Sequence, residues 1–96
     1  MNRETVLQII SRLMPQLRGY GIQSLALFGS VARNEATAES DVDVLVDFAV
    51  PVTFDNYFDV KFLLEDTLGC KVDLVTKTGI RKEVLPIIQN ELVNAT

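Results

Sequence analysis

The stretch Asp41-Val42-Asp43-Val44-Leu45-Val46-Asp47-Phe48 presents two unlike surfaces in strict alternation. In an extended chain Asp41, Asp43, Leu45 and Asp47 fall on one side, and Val42, Val44, Val46 and Phe48 on the other. That pattern predicts a strand with one face in a core. A second constraint lies upstream, where Gly29-Ser30 closes the apolar run Leu25-Ala26-Leu27-Phe28. Ten residues separate that pair from Asp41. A glycine turn that can hold phosphate, followed by paired carboxylates that can hold a metal, is the minimum hardware for handling a nucleoside triphosphate.

The remaining elements predict an α/β (α+β) fold. Arg3 to Leu17 reads as a helix with Val6, Leu7, Ile9, Ile10, Leu13, Met14 and Leu17 on a broad apolar face. Pro15 is expected to kink it or to start a second short turn, and Gly19-Tyr20-Gly21 to end it. Ile22 to Phe28 is the first strand, and Ser30 is the expected N-cap of a short helix from Val31 to about Asn34. A polar loop, Glu35 to Ser40, leads into the second strand, Asp41 to Phe48, which Ala49-Val50-Pro51 breaks. Thr53 or Asp55 caps a long helix to Leu68, with Phe54, Tyr57, Phe58, Phe62, Leu64 and Leu68 on its buried side and Gly69 as its stop. Cys70 to Thr76 is the third strand, Lys77-Thr78-Gly79 a turn, and Ile80 to Val93 a helical tail with Pro86 near the start of its final portion. This order implies one domain over residues 1–96, a small mixed sheet with helices packed on one side.

Composition excludes several function classes. With 48% hydrophobic residues the chain can bury a core, yet 96 residues leave much apolar surface near solvent, so a partner chain or self-association is expected. A net charge of -4 and scattered Lys and Arg argue against direct nucleic-acid binding. Lys77 to Lys82 is only a loose basic cluster and reads as a solvated surface. The one cysteine, Cys70, points to a reduced, cytoplasmic protein and reads as an inert thiol packed among apolar neighbours. No apolar run approaches the ~20 residues of a membrane helix. With no histidine, Ser-His-Asp and Cys-His catalysis and His-containing zinc sites are excluded. Any metal must take oxygen ligands, which points to magnesium or manganese.

Asp41 and Asp43, two apart in a strand, lie roughly 6.5–7 Å apart at Cα on one face and can converge on one cation or bridge two. Asp73, flanked by Val72, Leu74 and Val75, is costly in an apolar run unless it is paired, metal-bound or wet. Should its strand lie beside the second, Asp73 faces the same site and can bind a second metal or take a proton from an attacking hydroxyl. Gly29 allows close backbone approach to a phosphate, Ser30 adds a hydroxyl and helix-start N–H groups, and Arg33 one turn on can reach a phosphate. Asp47 shares the face but lies ~13 Å from Asp43 along the strand, outside the expected site.

Leu27-Phe28-Gly29-Ser30-Val31-Ala32-Arg33 and Ser40-Asp41-Val42-Asp43-Val44-Leu45-Val46 together resemble the signature of the DNA polymerase beta superfamily of nucleotidyltransferases. The likeness is strongest to the minimal nucleotidyltransferases (MNT), antitoxins of HEPN-domain toxins, and it covers essentially the whole chain. The resemblance implies that Gly29 and Ser30 hold the triphosphate of ATP, with Arg33 a weaker addition. It implies that Asp41 and Asp43 bind two Mg2+ ions and that Asp73 is the third carboxylate, helping to activate the acceptor hydroxyl. It further implies transfer of AMP from ATP to a tyrosine of a HEPN ribonuclease toxin, a hetero-oligomeric partner, which is thereby blocked. Where many relatives carry glycine after the Ala-Arg pair this chain has Asn34, a residue that tolerates left-handed backbone. Two alternatives stand beside this reading. One is a non-catalytic antitoxin that acts by binding. The other is a small-molecule transferase of the aminoglycoside-modifying kind, which normally needs an extra domain.

Overall fold

The computed structural model describes residues 2–37, 40–49, 51–80, 82–90 and 92–95, with Thr78 by its backbone alone. The expectations placed on residues 38–39 of the polar loop, on Val50 of the strand break, on Arg81 of the basic cluster and on Arg81 and Glu91 of the helical tail lie outside the described residues. The first helix, α1 (Arg3–Gly19), starts at Asn2, whose side chain accepts the Thr5 N–H at 2.8 Å. It continues past Pro15 without a second helix starting there. It closes only at Tyr20 and Gly21, whose N–H groups return to Leu17 and Arg18.

Three strands follow: β1 (Ile22–Phe28), β2 (Val42–Phe48) and β3 (Val72–Thr76), with a two-residue β4 (Val93–Asn94). The sheet order is β3-β2-β1-β4. β1 pairs antiparallel with both β2 and β4, and β2 pairs parallel with β3. Parallel neighbours need a long crossover. Helix α3 (Phe54–Leu68) supplies it, capped by Thr53 and stopped by Gly69 in the left-handed conformation. α1 and α3 share one sheet face. Val6, Ile10 and Leu17 of α1 and Val60 and Leu64 of α3 meet Leu25, Leu27, Val42, Val44, Val46 and Val72 in a single buried cluster. Each such side chain is worth about 1.5–3 kcal/mol. The alternation read from β2 therefore holds: its valines enter the core, and Asp43, Leu45 and Asp47 take the opposite face.

Four local expectations are corrected. β2 begins at Val42, so Asp41 stands just outside the strand. β3 begins at Val72 and leaves Cys70 in the bend before it. The short helix, α2 (Gly29–Ala32), includes Ser30 rather than being capped by it, and Phe28 occupies the cap without a side-chain bond. On α3, Phe54 and Phe62 face solvent. Val60, Leu64 and Leu68 take the core instead. The stripe Phe54-Phe58-Phe62 is offset from them by two residues, about 200° around a helix.

The tail departs furthest. Lys77–Gly79 forms a 3₁₀ turn, α4 covers only Leu85–Gln89, and the chain then extends into β4. The free edge of β1 accounts for this. Ala26 and Leu27 pair with Asn94 and Val93, and Ala95 N–H reaches Leu25 C=O at 2.9 Å. Ladder bonds to a preformed edge outweigh a weak helical preference at a chain end.

Candidate active site

The sheet topology converts two distant motifs and one isolated residue into neighbours. Antiparallel pairing sets Phe28, the last residue of β1, opposite Asp43. Parallel pairing sets Asp73 opposite Asp43 from the other side. Gly29, one residue past Phe28, has φ +73°, the left-handed region that disfavours side chains. A Cβ built there would overlap the Asp43 carboxylate, with the Asp43 Cγ at 3.0 Å. Glycine is thus demanded twice, by the backbone and by the acid beside it.

The turn after Gly29 is held by its own backbone. Arg33 N–H bonds Gly29 C=O at 3.1 Å, and Glu35 N–H bonds Ser30 C=O at 2.8 Å. Asn34 occupies the left-handed region with φ 61°, a conformation that asparagine tolerates. α1 braces this turn from behind. Arg3 donates from Nη1 to Ala32 C=O at 3.0 Å, and its backbone N–H reaches Asn34 Oδ1 at 3.2 Å. Nothing local in the sequence marks Arg3 for this role, because its partners lie about thirty residues away. α2 is a single turn, so the anion affinity expected of a helix start reduces to the close approach that Gly29 permits. Arg33 donates from Nε to Glu35 Oε2 at 3.2 Å on the exposed side of the turn.

Asp41 is exposed, Asp43 half-buried and Asp73 exposed. Among the described residues no three carboxylate or thiol groups converge on one metal-sized point. The chemistry of the donor set still fits a hard divalent ion, since every candidate ligand is a carboxylate oxygen and the chain has no histidine. Ser40 positions the approach to Asp41: its Oγ accepts the Thr37 N–H at 2.9 Å, and its N–H bonds Thr37 C=O at 3.1 Å.

Two neighbouring groups register these charges. Cys70 lines a cavity of about 180 Å³ with Val31, Ser40 and Val42. Burial pushes its thiol pKa up, and the negative charges of Asp41 and then Glu65 push it further. Both effects favour the neutral thiol, although Cys70 is half-buried rather than fully packed away as the sequence suggests. Tyr57 of α3 donates its O–H to Leu74 C=O on the outer edge of β3 at 2.6 Å. Burial raises its pKa above 10.0, and Asp73 adds to the effect. Glu65, from the same helix, accepts the Val72 N–H at 3.0 Å. α3 thereby ties down the strand that carries Asp73. Sequence reasoning placed Tyr57 in the core and missed this role, since only the fold brings the β3 edge beneath the helix.

Asp47 is half-buried at the far end of β2 and lines a different cavity, of about 520 Å³, with Lys77 and Val52. It stays apart from Gly29 and Asp43, as expected.

A family model described as a nucleotidyltransferase domain matches residues 4–94. The chain belongs to that family. Protein adenylyltransferase MntA of Thermococcus cleftensis is 33% identical over 91 residues, covering 94% of this chain and 92% of the relative. A Methanocaldococcus jannaschii protein bearing a protein adenylyltransferase name is 47% identical over 62 residues, 65% of this chain and 63% of its own length. Among solved structures, one named for a minimal nucleotidyltransferase superposes with TM-score 0.86 at 31% identity, covering 97% of this chain and 95% of the other. The nucleotidyltransferase fold recurs in a complex of MNT antitoxin with tri-AMPylated Shewanella oneidensis HEPN toxin. There the TM-score is 0.68 at 19% identity, covering 94% of this chain and 71% of the other. Among the described residues no helix is long and apolar enough to cross a membrane.

Proposed function

We propose that this nucleotidyltransferase is the antitoxin of a type VII-like HEPN/MNT pair, transferring AMP from ATP to a tyrosine of a HEPN ribonuclease toxin and thereby silencing it. The observation that carries the reading is Gly29, held at φ +73° against Asp43, with Asp73 in register on the next strand. The likeness to MntA and to an AMPylated toxin complex supplies the acceptor.

The reaction needs an acceptor oxygen to attack the α-phosphorus, breaking its bond to the bridging oxygen and releasing pyrophosphate. Gly29 and Ser30 give the triphosphate a close backbone approach, and Arg33 lies one turn on. Asp41 and Asp43 would hold magnesium, with Asp73 the third carboxylate. The bound ions would neutralise the phosphates and stabilise the charge that develops on the attacking and leaving oxygens. Asp73, on the strand beside Asp43, would accept the proton of the tyrosine hydroxyl.

The test mixes the purified chain with the HEPN-domain protein encoded beside it, ATP and magnesium, and weighs the toxin. A gain of one or more AMP units, absent with Asp41→Ala/Asp43→Ala, is expected. One observation favours a second reading, neutralisation by binding alone: the exposed phenylalanines of α3 offer contact area without chemistry. A toxin silenced at unchanged mass, and equally well by the double alanine variant, would establish that reading instead.

A further inference from the structure

The outward stripe of α3 is built as a surface. Phe54 is 79% exposed and Phe62 54%. Their rings flank Phe58 at centroid distances of 4.7 and 5.8 Å, and Phe58 meets Tyr57 edge-on at 5.3 Å. Such contacts hold a ridge in one conformation before anything binds to it. The phenylalanines recur every four residues, about 6 Å along a helix. Two depressions share Phe54 and Phe58: one of about 590 Å³ that reaches Phe62, and one of about 450 Å³ that reaches Val52 and Thr76. The only charged residues lining them are Asp55 and Asp59.

We infer that this ridge is the docking surface for the toxin, and that it receives an amphipathic helix with apolar side chains at i, i+4 spacing flanked by Lys or Arg. This rests on the toxin being the partner. The spacing matches helix-in-groove recognition, in which one apolar ridge fits between the side chains of another. Charge selects the occupant. In a two-fold pairing of this surface with a second copy, the same patch meets itself, so Asp55 and Asp59 of both copies crowd one interface. An anionic lipid surface meets the same repulsion. A basic flank on the partner turns both aspartates into attraction and steers encounter.

The experiment measures binding of the HEPN-domain protein by calorimetry without ATP, beside AMP incorporation with ATP. Phe54→Ser/Phe62→Ser alters only exposed side chains and should weaken binding about thirtyfold or more. At subsaturating toxin it should lower AMP incorporation, with recovery at high toxin. Asp55→Lys/Asp59→Lys should slow association and remove its salt dependence. Asp41→Ala/Asp43→Ala should bind normally and transfer nothing. If the phenylalanine variant binds at native strength, the ridge assignment is wrong while the transfer reaction stands. Ridge-dependent binding with no AMP transfer by the native chain refutes the reaction and keeps the surface. Sedimentation showing a native homodimer that the phenylalanine variant dissolves, or ridge-dependent binding to anionic vesicles, overturns the inference. So does an absence of any toxin binding.

Discussion

Gly29→Ala puts the central feature of the site under direct test. At φ +73° an L side chain costs about 1–2 kcal/mol. The new methyl also meets Asp43, with Cγ at 3.0 Å and Cβ at 3.3 Å, so the aspartate must leave its rotamer, at about 0.5–1.5 kcal/mol. The sum is about 1.5–3.5 kcal/mol. For a domain of this length each kcal/mol shifts Tm by about 4–8 °C. A fall on the order of 10 °C is therefore expected in a calorimetric scan, with a matching drop in urea midpoint. AMP transfer should fall about a hundredfold or more, because Asp43 is displaced from the position its chemistry requires. The contact itself is isolated by repeating the substitution in an Asp43→Ala background. There the left-handed penalty remains and most of the collision is gone, leaving a coupling of about 0.5–1.5 kcal/mol between the two sites. A Tm change under about 2 °C, or full additivity of the two substitutions, would show that Gly29 and Asp43 do not touch and would remove the basis for the site.

Three further outcomes are expected. Asp73→Asn should leave Tm essentially unchanged, since the side chain is exposed, while slowing AMP transfer at saturating ATP by about a hundredfold or more. Equal transfer rates would remove Asp73 from the chemistry. Tyr57→Phe deletes the bond to Leu74 and should destabilise by about 1 kcal/mol in urea. The folded Tyr57 pKa lies above its ordinary 10.0, so its contribution is full below pH 10 and is lost as pH rises through the folded value. The native chain should therefore lose more stability above pH 10 than the variant does, and parallel pH profiles would contradict the assignment. Cys70, whose thiol pKa is raised by burial and by Asp41, should alkylate slowly with iodoacetamide near pH 8. Asp41→Asn should accelerate that reaction, and an unchanged rate would place Asp41 out of electrostatic reach.

Several elements were legible because their causes are local. β1 matches its sequence-predicted limits, and α3 begins after Thr53, one of its two expected caps, and ends before Gly69. The period of two through Asp41 to Phe48 placed the valines inside and the acids outside, because strand geometry leaves no other arrangement. The errors cluster where a distant surface decided. Ser30 lost its capping role because Gly29 itself begins the turn. Hydrophobicity alone points Phe54 and Phe62 to the core. The core had room for one stripe of α3 and took Val60, Leu64 and Leu68. The expected tail helix shortened because β1 had an open edge to fill.

The candidate site divides along the same line. The sequence by itself determined the inventory: a glycine-serine turn, two carboxylates one residue apart at the start of a strand, a third in its own apolar strand, and no histidine to suggest other chemistry. Those are properties of single segments, and short-range geometry suffices to read them. Only the tertiary structure decided which of them stand side by side. Pairing register is set by the burial of whole strand faces, since a slip of one residue would exchange the core valines for the acids. That register places Asp43 between Phe28 and Asp73 and brings Gly29 against the Asp43 carboxylate. The same packing turned the phenylalanines of α3 outward, onto a surface that no stretch of sequence identifies as exposed.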